Sequence, residues 1–276
     1  MSDHLAILIP YYTNQLGADE QTSLRHLAHF LPAWDTYLLA PEGMEITALG
    51  KHSFHIQRFP TEYFTSVSAY SRLLLSPDFY RAFSNYEHIL IYQLDCLAFT
   101  SDVQPWLDKN YDYLGAPWFN DSQHPERGFA RVGNGGLSLR RVESFLRVLT
   151  SSRYTSQPVP FWADLFKPVH EFDDSMPALK FFWHRLKLRA RVLRQVRRGV
   201  QWYTANYSLN EDRFWSDRVM FFDPQFKIAP VQDGLRFAFE RFPRYCYEQN
   251  GQQLPFGAHA WAKWDRSFWE PFLIRN

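Results

Sequence analysis

The apolar positions of this chain fall into two periods, and the switches between them mark its elements. Leu5 to Ile9 is an unbroken apolar run stopped by Pro10, which predicts a first strand. Thr22 to Leu31 sets Leu24, Leu27 and Leu31 at helical spacing. Thr36 to Ala40 reads as a second strand ended by Pro41, and Phe54 to Phe59 alternates as a third. Ser66 to Phe83 carries Tyr70, Leu73, Leu74, Phe79 and Phe83 in a helical pattern with a break near Pro77. His88 to Phe99, HILIYQLDCLAF, then holds the apolar run Ile89, Leu90, Ile91 with Tyr92 behind it. Such a run suits a strand buried on both faces of a parallel sheet. It delivers Gln93 and Asp95 at its C-terminal end.

Further on, Asp102 to Asp108 predicts a short helix and Tyr111 to Ala116 a strand. Trp118 to Arg131 is polar and irregular and reads as a loop over the site. Val132 to Arg140 is VGNGGLSLR, and Arg141 to Leu149 has helical spacing. Gln157 to Pro177 reads as a long connection, Lys180 to Val200 as a basic helix, Asn210 to Phe221 as a helix, and Phe226 to Ala229 as a short strand. The strand–helix–strand order predicts an α/β fold with a mostly parallel central sheet flanked by helices. No internal repeat and no clear linker is visible in the 276 residues. The expectation is one domain over 1–276, with a basic helical insertion at about 178–205 and a C-terminal extension from about 243.

Composition adjusts this picture in a few places. Aromatic residues reach 18%, enough for a large core and for stacking on sugars or bases. Net charge is +1, so the overall balance points to no polyanionic partner. Cys96 and Cys246 make no disulfide framework, which suits a reducing, cytoplasmic setting. The start, MSDHLAILIPYY, lacks a basic n-region, and no apolar run is long enough to span a membrane.

Four segments carry candidate chemistry. Asp95 sits where ligands bind in open α/β sheets, outside the carboxyl ends of the strands, though an acid there also caps turns. Asn134-Gly135-Gly136 allows a ligand close approach to the backbone, or makes an ordinary hairpin turn. Ser208 to Glu211 fits a capping box that occupies Glu211 and leaves Asp212 free, ionised at a helix start and able to act as a general base. His259, in PFGAHAW, has little bulk beside it, so a ligand or metal could reach the ring; a lone histidine is more often a structural residue. Separately, seven basic residues lie between Arg185 and Arg198, with no acid from Met176 to Leu209. That pattern fits a membrane-surface helix, a solvated face or, least well, a nucleic-acid patch.

The ordered set YSRLLLSPDFYRAF, YEHILIYQLDCLAF, YDYLGAPW, GNGGLSLR, NEDRFWS and FGAHAW, from about Tyr70 to Trp261, resembles a family of bacterial and eukaryotic glycosyltransferase-like domains with the GT-A fold. In layout it is similar to inverting galactosyl- and N-acetylglucosaminyltransferases. The resemblance implies a GT-A-like domain that moves a sugar from a nucleotide-sugar, a UDP-sugar first among donors, to a hydroxyl of a glycan or lipid-linked acceptor in surface polysaccharide or glycoconjugate synthesis. Gln93-Leu94-Asp95 stands at the Asp-x-Asp metal motif, with Asp95 at the metal-binding acid and Gln93 in place of the first. His259 stands at the histidine that completes a Mn²⁺ or Mg²⁺ site. Asn134, Gly135 and Gly136 would lie under the donor sugar, and Pro10 and Tyr11 would approach the base. Asp212 falls at the catalytic base with Glu211 beside it, and Trp118 would stack on the acceptor.

The family does not explain the basic helix, Arg185 to Arg198. The reading for it is docking to an anionic membrane surface at the cytoplasmic face, near a lipid-linked acceptor. Two other functions stay open at this level. One is a catalytically silent sugar- or nucleotide-binding module, which the loss of the first motif acid allows. The other is a nucleic-acid-modifying transferase.

Overall fold

A computed structural model describes residues 3–47, 54–152, 183, 186–187, 190–191 and 194–274. The first half runs β1 (Asp3–Pro10), α1 (Ala18–Phe30), β2 (Asp35–Pro41), β3 (His55–Phe59), α2 (Val67–Leu74), α3 (Pro77–Arg81) and β4 (Tyr86–Tyr92). Then come β5 (Leu97–Ala98), α4 (Gln104–Asp108), β6 (Tyr113–Gly115), β7 (Pro117–Phe119), β8 (Phe129–Val132), β9 (Leu137–Arg141) and α5 (Val142–Leu149). Later in the chain follow α6 (Val200–Ala205), α7 (Glu211–Asp217), α8 (Val231–Phe237), β10 (Ala238–Phe239), α9 (Pro243–Gln249), β11 (Gly257–Ala258) and α10 (Arg266–Trp269).

The fold is α/β, with a mostly parallel six-stranded sheet in the order β3-β2-β1-β4-β9-β6. β3, β2, β1 and β4 run parallel; β9 is antiparallel to both β4 and β6. Ile89, Leu90, Ile91 and Tyr92 of β4 are completely buried, as a strand covered on both faces requires. The helical pattern of 66–83 divides into α2 and α3 where expected: Ser66 caps one and Ser76 the other, with Pro77 at the first position of α3. A second, smaller sheet, β10-β11-β5, has its own core around Leu97, Phe239, Trp261 and Trp269. The segment from Pro243 onward supplies its middle strand, β11.

Three local expectations change. The stretch from Trp118 to Arg131 is not a plain loop: β7 and β8 pair as an antiparallel hairpin, with a bulge between Trp118 and Phe119. Its period is hidden because Asn120, Asp121 and the Pro125–Arg127 turn fill the tip. The capping box is also overturned. α7 starts at Glu211 with Asn210 as its N-cap, so Glu211 cannot reach back from the third position, and a buried arginine holds it instead. Phe226 to Ala229 contributes only an isolated bridge from Ile228 to Tyr113.

Both cysteines are free and buried. Among the described residues no helix is long and apolar enough to cross a membrane. The basic helix read over Lys180–Val200 lies largely outside the described residues, Arg185 and Arg189 among them. At its described end, Val196 and Val200 are buried in the main core.

Candidate active site

The carboxyl ends of β1 and β4 open into a cleft of about 530 Å³. Pro10 and Tyr11 line it from β1, Gln93, Leu94 and Asp95 from the turn after β4, and Phe64 to Val67 with Tyr70 from the opposite wall. The buried strand ends at Tyr92 because the chain turns there: the Cys96 amide donates to the Gln93 carbonyl at 2.9 Å, and the Tyr92 hydroxyl donates to the Cys96 carbonyl at 3.1 Å. This turn points Gln93 and Asp95 into the cleft. Tyr12 is 63% exposed at the mouth, an aromatic face left to solvent.

The loop between β8 and β9, Gly133 to Gly136, is no hairpin turn, since its flanking strands belong to different sheets. Neither Gly135 nor Gly136 has a left-handed backbone. They are glycines because of what touches them. A Cβ on Gly136 would run into the His259 ring, and one on Gly135 would meet Glu211 Oε1 at 2.8 Å and Asp212 Cβ at 3.1 Å. The Asn134 side chain accepts from the Gly136 amide at 3.1 Å, which shapes the loop, and the Gln93 amide donates to the Gly136 carbonyl at 3.1 Å. The glycine floor thus joins the Asp95 turn, His259 and the start of α7.

His259 follows β11, and its amide donates to the Phe239 carbonyl of β10 at 2.9 Å. Its Nε2 lies 3.2 Å from Gln93 Oε1 and 3.4 Å from Asp95 Oδ1, while Nδ1 lies 3.6 Å from Glu240 Oε1. Burial opposes charge on this ring, but Glu240, Asp95 and Asp212 outweigh it and raise its pKa above the usual histidine value. A divalent ion fits the donor set. Asp95 Oδ1 is buried without a hydrogen-bond partner beside the imidazole nitrogen, one oxygen and one nitrogen donor facing each other. Two donors do not fill a coordination shell, and among the described residues no group of three or more His, Cys, Asp or Glu gathers to hold a metal. The remaining ligands would be diphosphate oxygens and water.

The two acids of α7 part company. Glu211 is buried and clasped by the fully buried Arg140, with Nη2–Oε1 at 2.8 Å and Nη1–Oε2 at 3.2 Å. Arg140 also donates from Nε to the Ser138 hydroxyl at 3.0 Å and from Nη1 to the Tyr80 hydroxyl at 3.1 Å. Asp212 makes no such pair. Burial, and then the charge of Glu211, push its carboxyl up to about 7, against the opposing pull of the Arg213 amide and Arg140. A carboxylate that ionises near neutrality is matched to proton abstraction.

Trp118 stands to one side in β7. The Gly133 backbone presses on its ring, and the Arg213 guanidinium lies over it at 4.4 Å from the centroid. The structure therefore brings Pro10, Tyr11, Gln93 and Asp95 to one cleft, and packs His259 on Gly136 beside Asp95 and Asp212 on Gly135. Arg140 and Glu240 are site residues that sequence reasoning missed. Arg140 left a signal, an arginine alternating with Leu137 and Leu139 on a strand buried on both faces, which demands an acid nearby. Glu240 left none.

A family model described as "Protein of unknown function (DUF5672)" matches residues 53–259. No curated protein matches the chain. Among solved structures, the chain is similar to the galactosyltransferase LgtC in complex with donor and acceptor sugar analogs, at 13% identity over 92% of this chain and 86% of that one, with a TM-score of 0.47. It is also similar to the glycosyltransferase GlyE of Streptococcus pneumoniae TIGR4, at 12% identity over 99% of this chain and 61% of that one, with a TM-score of 0.44.

Proposed function

The chain belongs to the DUF5672 family, and for this member we propose a glycosyltransferase that moves a sugar from a nucleotide-sugar donor to a hydroxyl of a glycan or lipid-linked acceptor. One observation carries the reading: a half-buried aspartate poised near neutrality faces a glycine floor that also carries an acid–imidazole pair, beside a cleft large enough for a nucleotide.

In this reading Pro10, Tyr11 and the exposed Tyr12 receive the nucleoside, and Gln93 and Asp95 meet the ribose and diphosphate side. The Gly135–Gly136 backbone lets the donor sugar lie close, since no side chain stands between. Asp212 takes the proton from the acceptor hydroxyl while that oxygen forms a bond to the anomeric carbon. The bond from that carbon to the diphosphate breaks with its electron pair, so the displacement is single and inverting. Asp95 and His259 would hold Mn²⁺ or Mg²⁺, which when bound offsets charge on the leaving diphosphate. Trp118, with the Arg213 guanidinium over its ring, is assigned to the acceptor side.

The test is thermal stability of the purified protein with nucleoside diphosphates, with and without Mn²⁺. Expected is a rise in melting temperature with UDP that grows with Mn²⁺, and loss of the Mn²⁺-dependent part in Asp95→Ala and His259→Ala. If no nucleoside diphosphate moves the transition in either condition, the proposal is wrong.

A further inference from the structure

We infer that Arg140 is a positioning residue for Asp212, acting through Glu211: it fixes the first turn of α7 against Gly135 and cancels the charge nearest the base. The inference rests on the reading of Asp212 as that base.

The geometry has two parts. First, the contact is tight and fully enclosed. Arg140 sits at zero exposure on β9, and its two Nη atoms close on both oxygens of Glu211. The same guanidinium lies 3.4 Å from the Gly135 carbonyl. Any side chain on Gly135 would press on Glu211, Asp212 and Arg140 Nη2 together, so the floor and the two acids pack as one unit. The Glu211 amide lies 3.4 Å from the Ser71 hydroxyl of α2, a second tether on the start of α7. Secondly, neighbouring residues on a helix start cannot move independently, so a clamp on Glu211 is a clamp on Asp212.

Charge follows from the same contact. Asp212 faces Glu211 and Arg213 on its own helix and Arg140 across the sheet. Glu240 at the end of β10, His259 after β11, Tyr113 of β6 and Tyr207 before α7 also act on it. Of these, Glu211 is the strongest charge raising its pKa, and Arg140 partly cancels it. With Arg140 removed, Glu211 loses its counterion, and the pull of the guanidinium on Asp212 goes with it. With both removed, the push and the pull vanish together.

The experiment follows the Asp212 carboxyl directly in full-length protein, by carbon NMR of ¹³Cγ-aspartate, its signal assigned as the one missing in Asp212→Asn. Donor hydrolysis is measured across pH on the same samples. Glu211→Gln should lower the Asp212 midpoint by about one unit, and Arg140→Met should raise it. The double variant should return towards wild type, and it keeps the inference testable should Arg140→Met alone fail to fold. The acid limb of the hydrolysis profile should move with the NMR midpoint. A Glu211→Gln midpoint within about 0.3 units of wild type, or a double variant no closer to wild type than Glu211→Gln, would overturn the inference. Full turnover in Asp212→Asn would instead overturn the assignment of the base, so the two failures are distinct.

Discussion

In the proposed transferase Asp212 meets two opposed demands, since the burial that suits it to act as the base also makes its ionisation costly. In an unfolded chain an aspartate titrates near 3.8, and in the fold this one is held at about 7. The bound proton therefore favours the native state fully below pH 3.8, and that contribution is lost as pH rises through about 7. Asp212→Asn cannot ionise. It should melt higher than wild type at pH 8 and close to wild type at pH 4, with an upper bound on the order of 4 kcal/mol for the pH 8 difference. The same substitution should cut turnover by about 10²- to 10⁴-fold, while wild-type kcat climbs with pH and levels off above about 7. A pH-independent wild-type rate across pH 5 to 8, or an Asn variant less stable at pH 8, would contradict this account.

The elements show which parts of the fold a sequence exposes. β1, β2 and β4 are legible because a run of buried branched residues has few alternatives, and the α2–α3 break is legible because Pro77 has no amide hydrogen to give. β5, β10 and β11 span two residues each, too short to show any period. The glycine loop was legible as special but ambiguous in kind. Gly-Gly can supply turn geometry or bare space, and only the packing of His259 and Glu211 decides for space. Gly136→Ala separates the two: the backbone conformation suits alanine, but its methyl must displace the His259 ring. The expected result is a modest change in melting temperature with loss of the Mn²⁺-dependent part of the nucleotide shift. Unaltered metal response would show that the ring yields freely.

Across the whole molecule, the two cores are tied by His26, a fully buried polar residue of α1. Its Nδ1 lies 2.8 Å from the Ala98 carbonyl of β5, and its Nε2 accepts from the Ile274 amide at 3.1 Å. Burial depresses its pKa, helped by Arg25 and His29 and opposed by the Ala98 carbonyl. The neutral ring that this contact needs thus persists down through the ordinary histidine range and is lost as pH falls through the depressed value. Hydrogen-exchange protection of the Ile274 amide should fall on acidification towards pH 5, and His26→Ala should remove it at pH 7. Contacts of this kind were hidden for one reason: their partners are far apart in sequence, as are Arg140 with Glu211 and Glu240 with His259. The candidate residues were legible one at a time, Asp95 from its position in an α/β plan and His259 from its motif, whereas the charges around them were not. The antiparallel course of β9 carries a last consequence. Because β9 runs against β4, the chain leaves one and enters the other at the same edge, and a single backbone bond from Gln93 to Gly136 splices the two ends into one floor. Everything between them, the β7–β8 hairpin included, is a detour that starts and finishes at that splice. In the proposed transferase, a change confined to that hairpin would leave the splice in place, with Asp95 and the glycine loop on it.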